Sequence, residues 1–86
     1  LTAVASNGSV NAAETLIQSG ERVDTTDLCG ITPLMLAALY GHKDMIGFLL
    51  DKGACVNKQS QDGDTALMFS AWRGHADAVK VLLCNG

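Results

Sequence analysis

The sequence has no long apolar run, no run of basic residues and no leader-like start. Its longest charge-free apolar stretch, residues 31–41, is about half of the length that spans a bilayer. The net charge is −3, and six basic residues are scattered among nine acids. This balance predicts neither nucleic acid nor membrane insertion. No charged-then-apolar leader is present, and a chain that begins at Leu1 and not at Met predicts that its natural start lies upstream.

Patterns for metal binding and catalysis are also missing. The three cysteines are an odd number without C-x-x-C spacing, which excludes the usual disulfide and zinc frameworks. Reduced thiols then predict an intracellular protein, cytoplasmic or nuclear. No serine, histidine and acid have the spacing of a catalytic nucleophile system. The glycines recur at the expected ends of helices and do not form the glycine-rich motif of a phosphate-binding loop. We therefore expect no enzyme activity, no cofactor and no metal.

What the sequence does have is a repeat of 33 residues. Residues 30–34 (GITPL) recur as 63–67 (GDTAL), and residues 38–42 (ALYGH) recur as 71–75 (AWRGH). The same step backward reaches a weaker third copy near the start of the chain. A period of this length predicts a stacked array, in which each unit shares its core with its neighbours.

One unit of the repeat predicts two short helices followed by a projecting hairpin. Thr32 before Pro33 is typical of a helix start, and Gly41 ends that helix. A second helix is expected over residues 42–52, ending at Gly53, and the polar, glycine-marked stretch that follows predicts a tight turn. Small alanines on the first helix and leucines on the second predict a curved stack, with first helices and hairpins on its hollow side.

This pattern resembles the ankyrin repeat family over the whole chain. The family's T-P-L-H-x-A-A-x-x-G-H stretch corresponds to residues 32–42, and its L-L-x-x-G-A-x-V-N stretch to residues 49–57. The resemblance implies an all-α fold, an α-solenoid of stacked ankyrin repeats built from helix-turn-helix units with β-hairpin turns. It divides the chain into a partial repeat over residues 1–26 and repeats over 27–59 and 60–86. We expect these units to be part of a longer array and to stack on neighbouring repeats of the parent chain.

The sequence departs from the family at two places. Met35 and Met68 replace the family's T-P-L-H histidine, which predicts a softer junction between hairpin and helix and two thioethers near the hollow face. Neither end carries a polar capping unit, so partly bare apolar residues are expected there. These end residues are Val10, Ala13, Leu16 and Ile17 on one side and Val79, Leu82 and Leu83 on the other. His42 and His75 recur in step with the repeat and are expected to bond turn carbonyls.

Residues that do not repeat are the candidates for binding, because positions that hold the fold must recur. By resemblance to the family they lie on the hollow face, and Tyr, Trp and Arg are enriched at binding hot spots. The predicted site is Leu28, Ile31, Leu39, Tyr40, Asp62, Asp64, Trp72 and Arg73. Tyr40 and Trp72 would be apolar anchors, unless they pack between repeats as ordinary filler. Arg73 would pair with an acidic group, and the two aspartates would favour a basic segment of the partner.

The predicted function is a protein–protein interaction module that binds a peptide or protein through its concave helix and hairpin face. The alternative is a set of structural spacer repeats in a longer solenoid whose partner contacts lie elsewhere. An enzyme or a nucleotide-binding unit has no supporting residues. Asn57 occupies a place at which ankyrin repeats can be hydroxylated, although bonding to the hairpin backbone is the simpler interpretation of this residue.

Overall fold

The computed structural model describes residues 2–85, with side chains for residues 4–84. These residues form helices arranged as three consecutive helix pairs, which we call the first, second and third pair. Their bounds are α1 Thr2–Asn7 and α2 Val10–Gln18, α3 Pro33–Leu39 and α4 Lys43–Asp51, and α5 Ala66–Trp72 and α6 Ala76–Asn85. No strand occurs among the described residues. The predicted all-helical stack is confirmed.

The first helix of the second and third pairs begins where the sequence predicts. Thr32 is the N-cap of α3, and its hydroxyl oxygen accepts the N–H of Met35 at 3.2 Å. Thr65 caps α5 in the same way, accepting the N–H of Met68 at 3.4 Å. A hydroxyl at this position stabilises a helix start because it satisfies a backbone donor that has no partner inside the helix. The second helix, expected over residues 42–52, is found as Lys43–Asp51.

Helix α3 lies between α1 and α5, and the first helices pack more closely on one another than the second helices do. Alanines allow this approach, because their small side chains let the helix backbones come close to each other. Ala5, Ala37 and Ala38 are fully buried on the first helices, and the larger Ile46, Leu49 and Leu82 are buried on the second helices. This unequal spacing supports the predicted curvature toward the first helices.

The segments between helix pairs close as turn-bearing loops. A carboxylate oxygen of Asp27 accepts the N–H of Cys29 at 2.8 Å, and the N–H of Ser60 donates to the carbonyl oxygen of Asp64 at 2.8 Å. Neighbouring loops are joined by the N–H of Gln61, which donates to the carbonyl oxygen of Cys29 at 2.9 Å. The loops therefore stack in the same register as the helices.

The two methionines that replace the family's histidine lie in different surroundings. Met35 is buried, and its sulfur accepts the N–H of Thr32 at 3.5 Å. The side chain of Met35 fills the core, so its thioether is not exposed. Met68 is 42% exposed. The junction at Thr32 is hydrogen-bonded in both directions, with the thioether as the weaker acceptor.

The two ends of the stack also differ. In the first pair Ala13 is buried, and Val10, Leu16 and Ile17 are half-buried. In the third pair Leu82 is buried and Val79 half-buried, but Leu83 is 62% exposed. Partly bare apolar residues are therefore found at both ends, and Leu83 of the third pair is the most exposed of them.

Candidate interaction surface

Two histidines fix the turns that carry the candidate residues. His42 Nε2 lies 2.9 Å from the carbonyl oxygen of Ser6, and His75 Nε2 lies 3.0 Å from that of Leu39. Each imidazole covers the turn glycine of the preceding pair, and a Cβ placed on Gly41 would lie 2.6 Å from His75 Nδ1. The predicted structural role of both histidines is confirmed. Successive turns are thereby held in register, together with the residues just before each glycine.

The proposed aromatic anchors are exposed. Tyr40 is 49% exposed and Trp72 is 64% exposed. The Trp72 ring meets Phe69 of its own helix edge to face, with 5.6 Å between ring centroids. Tyr40 lies beside His42, with ring centroids 6.3 Å apart. Tyr40 is exposed although a further helix pair follows it, whereas Trp72 belongs to the last described pair.

The three aliphatic candidates do not form one exposed cluster. Leu28, at a loop tip, is 97% exposed. Ile31 is half-buried and packs against the core, and Leu39 is also half-buried. Ile31 and Leu39 therefore expose only a minor part of their side chains. Only Leu28 offers most of its apolar surface to a partner.

The charged candidates are available for outside contacts. Arg73 and Asp62 are exposed and Asp64 is half-buried. Within the described part of the chain, none of these three side chains takes part in a hydrogen bond or an ion pair. Asp64 is held through its backbone, since its N–H donates to the Ser60 hydroxyl at 3.2 Å.

One bond between helix pairs escaped the sequence analysis. A carboxylate oxygen of Asp24 accepts the N–H of Cys55, at 3.2 Å and 31 residues away. Asn57 lies one period after Asp24, is exposed, and makes no hydrogen bond that the described residues show. The expected bond from Asn57 to the hairpin backbone is therefore not found. The sequence feature that could have drawn attention to Asp24 is its place one period of 33 residues before Asn57.

Other chemistry on the surface is limited. Across residues 2–85, no three His, Cys, Asp or Glu side chains are grouped as metal ligands would be. In the same part of the chain, every helix is too short or too polar to cross a membrane. Cys29, Cys55 and Cys84 are exposed free thiols.

Comparison with known proteins identifies the family. The family model for ankyrin repeats (three copies) matches residues 1–86 of this chain. The crystal structure of the human ASB11 ankyrin repeat domain superposes with a TM-score of 0.93 at 34% identity, covering 99% of this chain and 38% of that one. The chain belongs to the ankyrin repeat family, whose fold is generally a module for protein–protein interaction.

Curated relatives are similar over shorter stretches. The mouse ankyrin repeat, SAM and basic leucine zipper domain-containing protein 1 is 40% identical over 47 residues, which is 55% of this chain. The ankyrin repeat-containing protein P1E11.10 of Schizosaccharomyces pombe is 35% identical over 58 residues, or 67% of this chain. These matches span 10% and 28% of the two relatives' own lengths.

Proposed function

We propose that this chain is a non-enzymatic interaction module that binds a peptide or protein partner along its concave helix and hairpin face. One observation carries the proposal: the turns are fixed by His42 and His75, while the side chains beside them remain exposed. A fixed backbone with exposed aromatic side chains is favourable for binding, because little conformational entropy is lost when a partner is bound.

Each candidate has a role that follows from its chemistry. Tyr40 and Trp72 present large apolar area at the ends of short helices, and rings of this kind are enriched among binding hot spots. Arg73 pairs with an acidic group of the partner, since its guanidinium donates in a planar fork. Asp62 and Asp64 attract a basic segment, with Leu28 as an apolar contact at the neighbouring loop. The proposed location is intracellular, in keeping with free exposed thiols.

Replacing Trp72 tests the proposal. Proteins recovered from cells with the immobilised chain are quantified by mass spectrometry for the natural sequence, for Trp72→Ala and for Leu83→Ala. Leu83 is the matched control, because it is 62% exposed and lies on a second helix. A concave-face partner is expected to lose about 2 kcal/mol or more of binding free energy with Trp72→Ala. It should be unaffected by Leu83→Ala, and circular dichroism must show both variants folded. A partner whose affinity is unchanged by Trp72→Ala removes Trp72 from the site.

The second candidate function is a spacer within a longer solenoid, favoured by the exposed apolar side chains of Met68 and Leu83 on the third pair. Recovering the same proteins with this chain and with a longer parent separates the two functions. A partner retained only by the parent places the contacts elsewhere.

Hydroxylation of Asn57 stays a prediction, and a peptide mass gain of one oxygen atom checks it.

A further inference from the structure

The loops that precede the second and third pairs use their carboxylates differently. We call residues 27–31 the second loop and residues 60–64 the third loop. In the second loop, a carboxylate oxygen of Asp27 accepts two backbone N–H groups of the same loop, at 2.8 and 2.9 Å. In the third loop Ser60 takes this position, and its hydroxyl accepts the N–H of Asp64 at 3.2 Å. The third loop therefore closes without the carboxylates of Asp62 and Asp64, and neither carboxylate makes a hydrogen bond or an ion pair with another described residue.

A positive charge lies at the other end of α5. Thr65 is the N-cap of this helix, and Arg73, eight residues later, is its C-cap. The rise of an α-helix places these two ends about 12 Å apart. Within the described part of the chain, the guanidinium of Arg73 has no carboxylate at ion-pair distance. The first helix of the third pair is therefore negative at its loop end and positive at its turn end, and neither charge is neutralised by the described residues.

The end of the described stack does not account for the exposure of these charges. Tyr40 lies one period before Arg73 and is 49% exposed, although the third pair packs beside it. Cys29 lies one period before Asp62 and is also exposed. Both positions thus stay accessible in a pair that has neighbours on both sides.

An apolar surface lies between the two charged ends of α5. Phe69 is four residues after Thr65 and four residues before Arg73, so it shares one side of the helix with both. Its side chain is half-buried, and Leu36 is half-buried one period earlier, where the third pair follows. The ring of Trp72 meets Phe69 edge to face, with 5.6 Å between ring centroids. The side of α5 that joins its charged ends is therefore apolar in the middle.

The distance between the charged ends favours an extended partner. A β-strand rises about 3.3 Å per residue, so four residues cover the length of α5. Positions i, i+2 and i+4 of a strand lie on one face and could all meet this helix. An α-helix needs eight residues for the same length, and its eighth residue is turned about 80° away from the first. An extended segment therefore matches both charged ends and the apolar middle with one face.

We propose that the third pair and its loop bind an extended partner segment that carries a basic residue, an apolar residue two positions along and an acidic residue two positions further. The basic residue lies against Asp62 and Asp64, the apolar residue against Phe69, and the acidic residue pairs with Arg73. This inference rests on the concave-face binding proposed above and adds the chemistry of the partner. Two opposite charges at a fixed spacing specify the partner, and not the general attraction of a chain of net charge −3 for basic proteins.

The test compares three capped, fluorescein-labelled peptides of equal length that differ at two positions, four residues apart, with leucine midway. One peptide carries lysine and glutamate at the two positions, one carries two lysines and one carries two glutamates. Fluorescence anisotropy with the natural chain measures Kd for each peptide at low salt. The peptide with both charges should bind about fivefold more tightly than either of the others. Higher ionic strength should reduce this preference.

Charge reversal in the chain should change the preferred peptide. Arg73→Glu should make the peptide with two lysines the tightest, and Asp62→Lys with Asp64→Lys should do the same for the peptide with two glutamates. Lys80→Glu is the matched control, because it changes the net charge as Arg73→Glu does but lies on the exposed side of a second helix. It should leave the order of the three peptides as it is in the natural chain.

Four results would overturn the inference. These are equal affinities or no binding for the three peptides, an equal effect of Arg73→Glu and Lys80→Glu, and tighter binding of a peptide with its charges seven positions apart, which would indicate a helical partner. The fourth is a change in Tm without a change in the preferred peptide, since the charges would then serve only the dipole of α5. The proposed function fails separately, because its test uses Trp72→Ala and proteins from cells and does not depend on these charges.

Discussion

The second and third helix pairs have nearly the same pattern of residues but not the same surroundings. Leu34 and Ala38 of the second pair are buried, whereas Leu67 is half-buried and Ala71 is exposed. The difference does not come from the residues, since each of these is conserved between the two copies of the period. It comes from the neighbour: in a stack, each pair is buried by the next one. The same substitution should therefore have a different effect in each pair.

The largest expected difference concerns the core leucines. Leu34→Ala should lower the free energy of unfolding by about 3 kcal/mol, because it leaves a cavity between helices that are packed on both sides. Leu67→Ala should lower it by about half as much, since its partly open site already contacts solvent. Urea unfolding followed by circular dichroism at low temperature measures both. Equal losses would show that coverage by a neighbour does not set the energetics.

The turn glycines give the second comparison. Gly41 and Gly74 both have φ of +72°, but only Gly41 has an imidazole above it. Gly74→Ala should lower the free energy of unfolding by about 1–2 kcal/mol through backbone strain alone. Gly41→Ala should lower it by about 1 kcal/mol more, since the methyl group displaces His75 from the carbonyl oxygen of Leu39.

The variant His75→Ala separates strain from collision. In a background that lacks the imidazole, Gly41→Ala should have the same effect as Gly74→Ala, and chemical denaturation of the single and double variants gives the coupling. If the effects of the two substitutions on the free energy of unfolding simply add in the double variant, the close approach of His75 to Gly41 does not contribute to the loss.

The smallest expected effect is a gain. Gly47 lies inside α4, where the third pair has Lys80, and a Cβ at this position meets nothing within 4 Å. Gly47→Ala should raise the free energy of unfolding by about 1 kcal/mol, because alanine is the better helix former. Gly53→Ala is the control: it also has open space, but its φ is +93°, so it should destabilise. A thermal melt that shows Gly47→Ala to be neutral or destabilising would contradict the prediction. Why the sequence has glycine at this position is not explained by its contacts.

Much of the fold could be predicted from the sequence, since local signals coincide with the period. The Thr32–Pro33 start, the stop at Gly41 and the carbonyl bond of His42 all follow from residue type and spacing. Exposure could not be predicted in this way. Ile31 and Leu39 are half-buried because other parts of the stack reach over them, and Met35 and Met68 differ although both follow the same helix start. The bond from Asp24 to Cys55 depends on the distance between pairs, which is not a property of either segment.

The bonds made by His42 and His75 each join residues only 36 positions apart. The sequence separation of such contacts is set by the period and not by the length of the chain, because each helix pair contacts only its neighbours. Folding of a stack can therefore begin at one pair and spread to the next. Lengthening the array by whole periods should therefore leave the initial rate of folding nearly unchanged.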